Sequence, residues 1–222
     1  MKKSLVFVPG IFLIFILLGM SCTDRAGITG TPWHDSLQTL PGKIECEKYN
    51  SGGEGIAYHD SDSVNNGSGK LNPDDGTFYN TFRIKEGVDI SYTKTNGIDD
   101  NQYNLVEPLM KQLYVGWTEP GEWINYTVLV TESGKYDGEL MYTSRYDGMI
   151  AIDLDGKVWL PPVMIASTFN EADSLQWRQW HHWNRQQLFS GLQLDKGEHV
   201  LTLRTVERGN MNYDFIEFKK TN

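Results

Sequence analysis

Two carboxylates, Glu45 and Glu47, stand two residues apart in the run Ile44-Glu45-Cys46-Glu47-Lys48-Tyr49, which reads as a strand. Side chains two apart on a strand leave the same face at close range. Like charges placed so repel unless something positive lies between them. A hard cation with oxygen ligands, Ca²⁺, resolves the conflict; the alternative is two solvated surface carboxylates with no metal. Seven tryptophans are the second chemical resource. Core packing is the ordinary role of such rings, and Trp123, heading an alternating strand, belongs to the scaffold. Trp117 and Trp177 differ, because each lies beside a turn or loop. An exposed ring there can stack on an apolar ligand face while polar groups stay free for hydrogen bonds. No GxSxG elbow and no HExxH helix is present, so two common hydrolase chemistries lack their residues. The five histidines, His181-His182 among them, show no zinc spacing and read as surface polar residues.

These residues need elements to hold them, and the strand signal dominates. Trp123–Val130 alternates Ile124, Tyr126, Val128 and Val130 against Trp123, Asn125, Thr127 and Leu129. His199–Val206 does the same, as does Asn212–Phe218. Further strands are expected near 44–49, 88–92, 113–117, 136–143, 148–154 and 158–164. Turn signals separate them at Pro120-Gly121, Ser133-Gly134, Asp155-Gly156, Lys196-Gly197 and Gly209-Asn210. No stretch of ten residues carries a helical stripe. Many short strands with frequent turns predict an all-β domain, a β-sandwich or jelly roll. Asp60 to Gly76 and Thr93 to Asn104 are expected as long loops held by that fold.

In order along the chain stand IECEKY (44–49), GGEGIAYHD (52–60), GVDISY (87–92), VGWTEPGEWINYTV (115–128), SGKYDGELMYTS (133–144), IDLDGK (152–157), WRQW (177–180), GLQLDKGEHVLTLR (191–204) and NYDFIEF (212–218). This series resembles the family 6 carbohydrate-binding modules, and covers roughly Ile44 to Lys219. The resemblance implies a β-jelly roll, a loop-end cleft with aromatic platforms at Trp117 and Trp177, and an Asn212 that bonds sugar hydroxyls. An amide offers donor and acceptor together. It also implies a structural Ca²⁺ held by Glu45, Glu47 and Asp214, and a small buried core residue at Cys46, where the family usually has Ala. Trp180, Trp183 and Trp159 stay open between cleft rim and core. Tyr58, His59 and Asp60 stay open between that rim and a turn held by Asp60. The segments 93–112 and 157–176 are longer than the family usually has, and both bear on the binding face.

Lys2 and Lys3, an apolar run from Leu5 to Met20, then Ser21 and Cys22 have the layout of a secretory signal. The run carries Pro9 and is shorter than the roughly 20 residues that span a bilayer. Ser21-Cys22 resembles the lipobox of bacterial lipoproteins, with Gly19 where that motif usually has Leu. The expected organisation is a signal at 1–21, a lipid-anchored tether at 22–42 with Cys22 acylated, and one binding domain at 43–222; the alternative is an ordinary cleaved signal without the lipid. With Cys22 so used, Cys46 has no disulfide partner. A net charge of −9 offers no basic field for nucleic acid. The leading expectation is a non-catalytic protein that captures plant or algal polysaccharide at the cell envelope, beside polysaccharide-degrading enzymes. Two alternatives stand beside it: a jelly-roll hydrolase or lyase, and a structural or adhesive envelope lipoprotein with a degenerate site. For hydrolysis, the ExDxxE strand motif of one jelly-roll glycosidase family is approached at Glu171–Gln176, without the third carboxylate.

Overall fold

The structure is a computed structural model and describes residues 29–73 and 76–221; the signal segment and Cys22 lie outside them. Alternating apolar residues produce two six-stranded sheets. The first orders β1 (Gln38–Leu40), β6 (Trp123–Val130), β11 (Gly197–Glu207), β8 (Gly148–Leu154) and β9 (Lys157–Ile165), with β3 (Tyr58–His59) also on β6. The second orders β10 (Asn184–Leu194), β7 (Gly134–Ser144), β12 (Met211–Lys220), β5 (Leu113–Val115) and β4 (Ile90–Tyr92), with β2 (Gly42–Glu45) also on β12. All pairings are antiparallel except β1 on β6. The core lies between the sheets: Ile124, Tyr126, Val128, Ile150, Ile152, Leu201 and Leu203 on one side, Tyr136, Leu140, Tyr142, Tyr213, Ile216 and Phe218 on the other. This is the expected all-β sandwich. Among the described residues no helix is long and apolar enough to cross a membrane.

Two expectations change. Residues 31–42, expected in the tether, pack on the domain. Thr31 and Ser51 exchange backbone hydrogen bonds at 2.8 and 2.7 Å, Leu40 is fully buried, and the Trp33 ring lies under the Arg83 guanidinium at 4.4 Å. A three-residue strand is too short to show a period, so its pattern was invisible. The strand β10 was also unexpected. Register shifts around Phe189 break its alternation, and adjacent Leu188 and Phe189 are both buried, which no period-two pattern describes.

The segment 93–112 meets the segment 157–176 and the residues that follow it. Leu105 and Val106 N–H groups donate to Trp183 O at 2.8 and 3.0 Å, the Tyr103 hydroxyl to Ala172 O at 3.2 Å, and Arg178 Nη1 to Gly97 O at 3.1 Å. Beneath them Tyr114, Met141, Trp183 and Phe215 form a small second core on the outer face of the second sheet, with Val106 packed against it. Residues 93–112 therefore brace the segment that leads into β10.

Candidate functional site

Where β5 ends and β12 begins, a cleft of about 320 Å³ brings together Trp117, Trp177, Trp180 and Asn212. Tyr114, His181 and Asn210 complete its wall, and these three were missed. Asn210 sits in the turn signal Gly209-Asn210 that already marks this end of the sandwich. His181 follows WRQW directly, but a histidine beside a loop carries no signal of its own.

Each ring is set by a different element. Trp117 lies in the turn after β5 at φ 50°, a conformation that costs a residue with a Cβ roughly 1–2 kcal/mol. Its neighbour Thr118 ties that turn down: the hydroxyl donates to Met211 O at 3.1 Å, and Met211 N–H donates back to it at 3.2 Å. Trp177 and Trp180 ride on a single 3₁₀ turn, Gln176–Trp180, where positions three apart share a side. Trp177 is 51% exposed, and the Arg145 guanidinium covers one side of Trp180 at 4.8 Å from its centroid.

That turn stands on buried ionic groups. Asp173 accepts from Arg178 Nε at 2.7 Å and Nη2 at 2.8 Å, from His182 Nε2 at 2.8 Å, and from Leu175 N–H at 3.0 Å. The Arg178 hydrogen bonds hold its carboxyl well below the usual carboxylate range. Gln179, fully buried, donates to Asn170 O and Asp173 O, both at 2.9 Å. His182 is fully buried, so the expectation of two surface histidines fails. Its ring is consumed by Asp173 and Thr168 O. Trp183 is likewise core, and Trp159 packs on Phe189 at 4.9 Å.

Asn212 is narrower in chemistry than expected. Its Nδ2 donates to Trp180 O at 2.8 Å and to Thr143 Oγ1 at 3.0 Å. Thr143 has already given its hydroxyl hydrogen to Trp180 O at 2.7 Å. Trp180 O can only accept, so the amide nitrogen must face it and both hydrogens are used. Only Oδ1 remains open, as an acceptor.

Tyr58 is not part of the cleft. It is 4% exposed, edge-on to Tyr49 at 5.5 Å, and its hydroxyl accepts from Gly87 N–H at 3.0 Å. Alternation in β3 sends it inward. Asp60 holds a turn through Oδ1, which accepts from Asp62 N–H at 3.0 Å. His59, Asp60 and Glu122 border a separate hollow of about 10 Å³, room for no more than a water-sized group. Burial, reinforced by Glu122, pushes Asp60 up to about 7. That hollow is too small to take a sugar ring.

The acidic corner differs from its expected form. β2 ends at Glu45, and Lys48 N–H turns back to Glu45 O at 3.0 Å, so Glu47 lies in a turn rather than on a shared strand face. Glu45 Oε2 accepts from Gln112 Nε2 at 3.1 Å. Glu47 and Asp214 are buried, and Glu47 Oε2 and Asp214 Oδ1 have no hydrogen-bond partner. Burial, then the charge of Glu45, pushes both up to about 8. Among the described residues no three His, Cys, Asp or Glu side chains are grouped to hold a metal. The two orphaned oxygens nonetheless suit a hard cation, provided main-chain oxygens complete its shell. Cys46 between them is fully buried, and burial raises its thiol.

No protein-family model matches the chain, and no curated protein does. Among solved structures it is similar to a family 6 carbohydrate-binding module whose binding sub-sites were dissected by crystallography and calorimetry. Identity is 15% over 83% of this chain and 98% of that one, with a TM-score of 0.50. It is also similar to the family 6 module of Clostridium stercorarium solved in complex with cellobiose, at 12% identity over 84% of this chain and 98% of that one, with a TM-score of 0.50. What the chain shares with these modules is their two-sheet β-sandwich, so its fold is that of the family 6 carbohydrate-binding modules.

Proposed function

We propose that this protein binds polysaccharide without cleaving it, in the cleft of Trp117, Trp177, Trp180 and Asn212. The observation that carries the reading is the convergence of three indole rings and an open amide oxygen on one cleft whose lining holds no carboxylate, ammonium or guanidinium. Apolar rings stack on the C–H faces of a neutral sugar, and the open polar atoms take its hydroxyls. Similarity of fold to modules that bind carbohydrate, one of them solved with cellobiose, supports the same reading. Plant or algal β-glucan, xylan or agar-type galactan are the glycans to test.

The leader and Ser21-Cys22 support attachment at the bacterial cell envelope through a lipid on Cys22, where the module would hold substrate near polysaccharide-degrading enzymes. Bound Ca²⁺ would neutralise the Glu47–Asp214 corner and tie the turn after β2 to β12, a structural role. The test is affinity electrophoresis and calorimetry of the purified protein against xylan, laminarin, barley β-glucan and agarose. Retention by at least one is expected, with no reducing ends released. Retention by none sinks the reading, and released product converts it into the hydrolase or lyase.

A further inference from the structure

Resting on that reading, we infer that His181 is a specificity-determining residue that accepts a hydrogen bond from a sugar hydroxyl through Nε2, and that Asp99 is the positioning residue that fixes its tautomer. His181 Nδ1 lies 2.8 Å from Asp99 Oδ1. The Asp99 side chain is shut from solvent; the same oxygen accepts from Trp183 Nε1 at 2.7 Å, and Oδ2 accepts from Lys94 N–H at 2.7 Å. A carboxylate surrounded by donors can only accept, so the imidazole hydrogen sits on Nδ1. The neutral ring then carries its lone pair on Nε2. No protein group among the described residues takes that lone pair, and the ring lines the cleft.

The ring has little freedom to do otherwise. Its own main chain is clamped on both sides: His181 N–H donates to Arg178 O at 2.8 Å, and His181 O accepts from Asn101 Nδ2 at 2.8 Å. Trp177 stands edge-on to it, with centroids 5.9 Å apart. Beside Oδ1 of Asn212, the cleft thus offers two fixed acceptors. Their complement is a sugar with unsubstituted hydroxyls turned to give up their hydrogens. An ether or acyl oxygen at the same place would meet lone pair with lone pair. The segment 93–112 acquires a purpose in this arrangement, because it supplies Asp99, Asn101 and Asn104, all of which hold the His181–Trp183 strip.

The deciding measurement is a long-range ¹H–¹⁵N correlation spectrum of the full chain at pH 8.5. It is recorded alone and then with the best binder among cellohexaose, laminarihexaose, xylohexaose and agarohexaose. The expected result is a protonated Nδ1 and bare Nε2 in the free protein, and an upfield move of the Nε2 resonance at saturation. His181→Ala should lower affinity for the same oligosaccharide about tenfold in a chain that still folds, because Asp99 keeps its bonds from Trp183 Nε1 and Lys94 N–H. A protonated Nε2, a resonance that does not move at saturation, or wild-type affinity in His181→Ala overturns the assignment while glycan binding itself stands. If none of the four binds, the glycan-binding reading and this inference fall together.

Discussion

Asp173 and Asp214 are both buried aspartates, one beneath the cleft and one in the acidic corner, and they are solved in opposite ways. Asp173 receives four hydrogen bonds, two of them from a guanidinium, and its carboxyl is held well below the usual range. Asp214 keeps an oxygen with no partner and is pushed up to about 8 by burial and by Glu45. The cleft's foundation is complete within the chain itself. The corner is complete only with a proton or a cation, whereas the first is a scaffold finished by its own hydrogen bonds.

Breaking both aspartates tests that contrast most strongly. Asp173→Ala leaves Arg178 and His182 without their acceptor, and loss of one partner from a buried pair costs about 3–5 kcal/mol. Denaturant unfolding should register that loss, with glycan binding disappearing as the Trp177–Trp180 turn shifts. Asp214→Asn, measured in chelator at pH 7, replaces a carboxyl that burial keeps protonated up to about pH 8 with a neutral amide, and should leave stability within about 1 kcal/mol of wild type. Equal costs for the two variants would erase the distinction.

The pH dependence follows the same division. Glu47 and Asp214 have folded values raised above their unfolded ones, so the folded chain binds more protons between about pH 4 and pH 8. In chelator, stability is fullest below that window and declines as pH rises through it, by at least about 2 kcal/mol. Millimolar Ca²⁺ should abolish the decline, because an ion favours the charged forms. Asp173 is depressed, and its contribution is present at neutral pH and is lost only as pH falls below about 4. Thermal unfolding from pH 3 to 9, with and without Ca²⁺, separates the two groups; a chelated protein whose midpoint is flat from pH 5 to 8 contradicts the assignment of the corner.

On the cleft side, Trp177→Ala removes the most exposed of the three rings. Central aromatic contacts carry 2 kcal/mol or more, so the affinity for the retained glycan should drop about thirtyfold. The midpoint should move by little, since the ring is half in solvent. A large stability loss would place Trp177 with the scaffold instead.

Much of the sandwich was legible because period-two patterns in β6, β11 and β12 are long enough to be read, and the loop-end tryptophans were legible because they adjoin turn signals. What stayed hidden has physical causes. β1 is three residues long, and β10 is interrupted by register shifts. Tyr58 shares its short strand with exposed His59, and two residues cannot announce which way they alternate. His181 and Asp99 lie 82 positions apart, and no local pattern joins them. The amide of Asn212 is legible as a candidate ligand group, but its loss of donors depends on Thr143 and Trp180 O, which only the folded chain brings together.

The smallest expected effect isolates that amide. Gly116 has an ordinary backbone conformation for any residue, so its need for glycine is one of space. A Cβ there would stand 2.9 Å from Asn212 Oδ1 and 3.2 Å from a ring carbon of Tyr114. Tyr114 is buried against Trp183 and gives little, so Gly116→Ala should push the Asn212 amide instead. Its two donor bonds anchor the nitrogen, and the movement falls on the open Oδ1. The affinity should fall by about tenfold, roughly 1.4 kcal/mol, with the Trp stack and the fold in place. Calorimetry would show the loss in binding constant without a change in stoichiometry. Wild-type affinity in this variant would mean that Oδ1 does not touch the glycan and that the rings and His181 carry recognition without it.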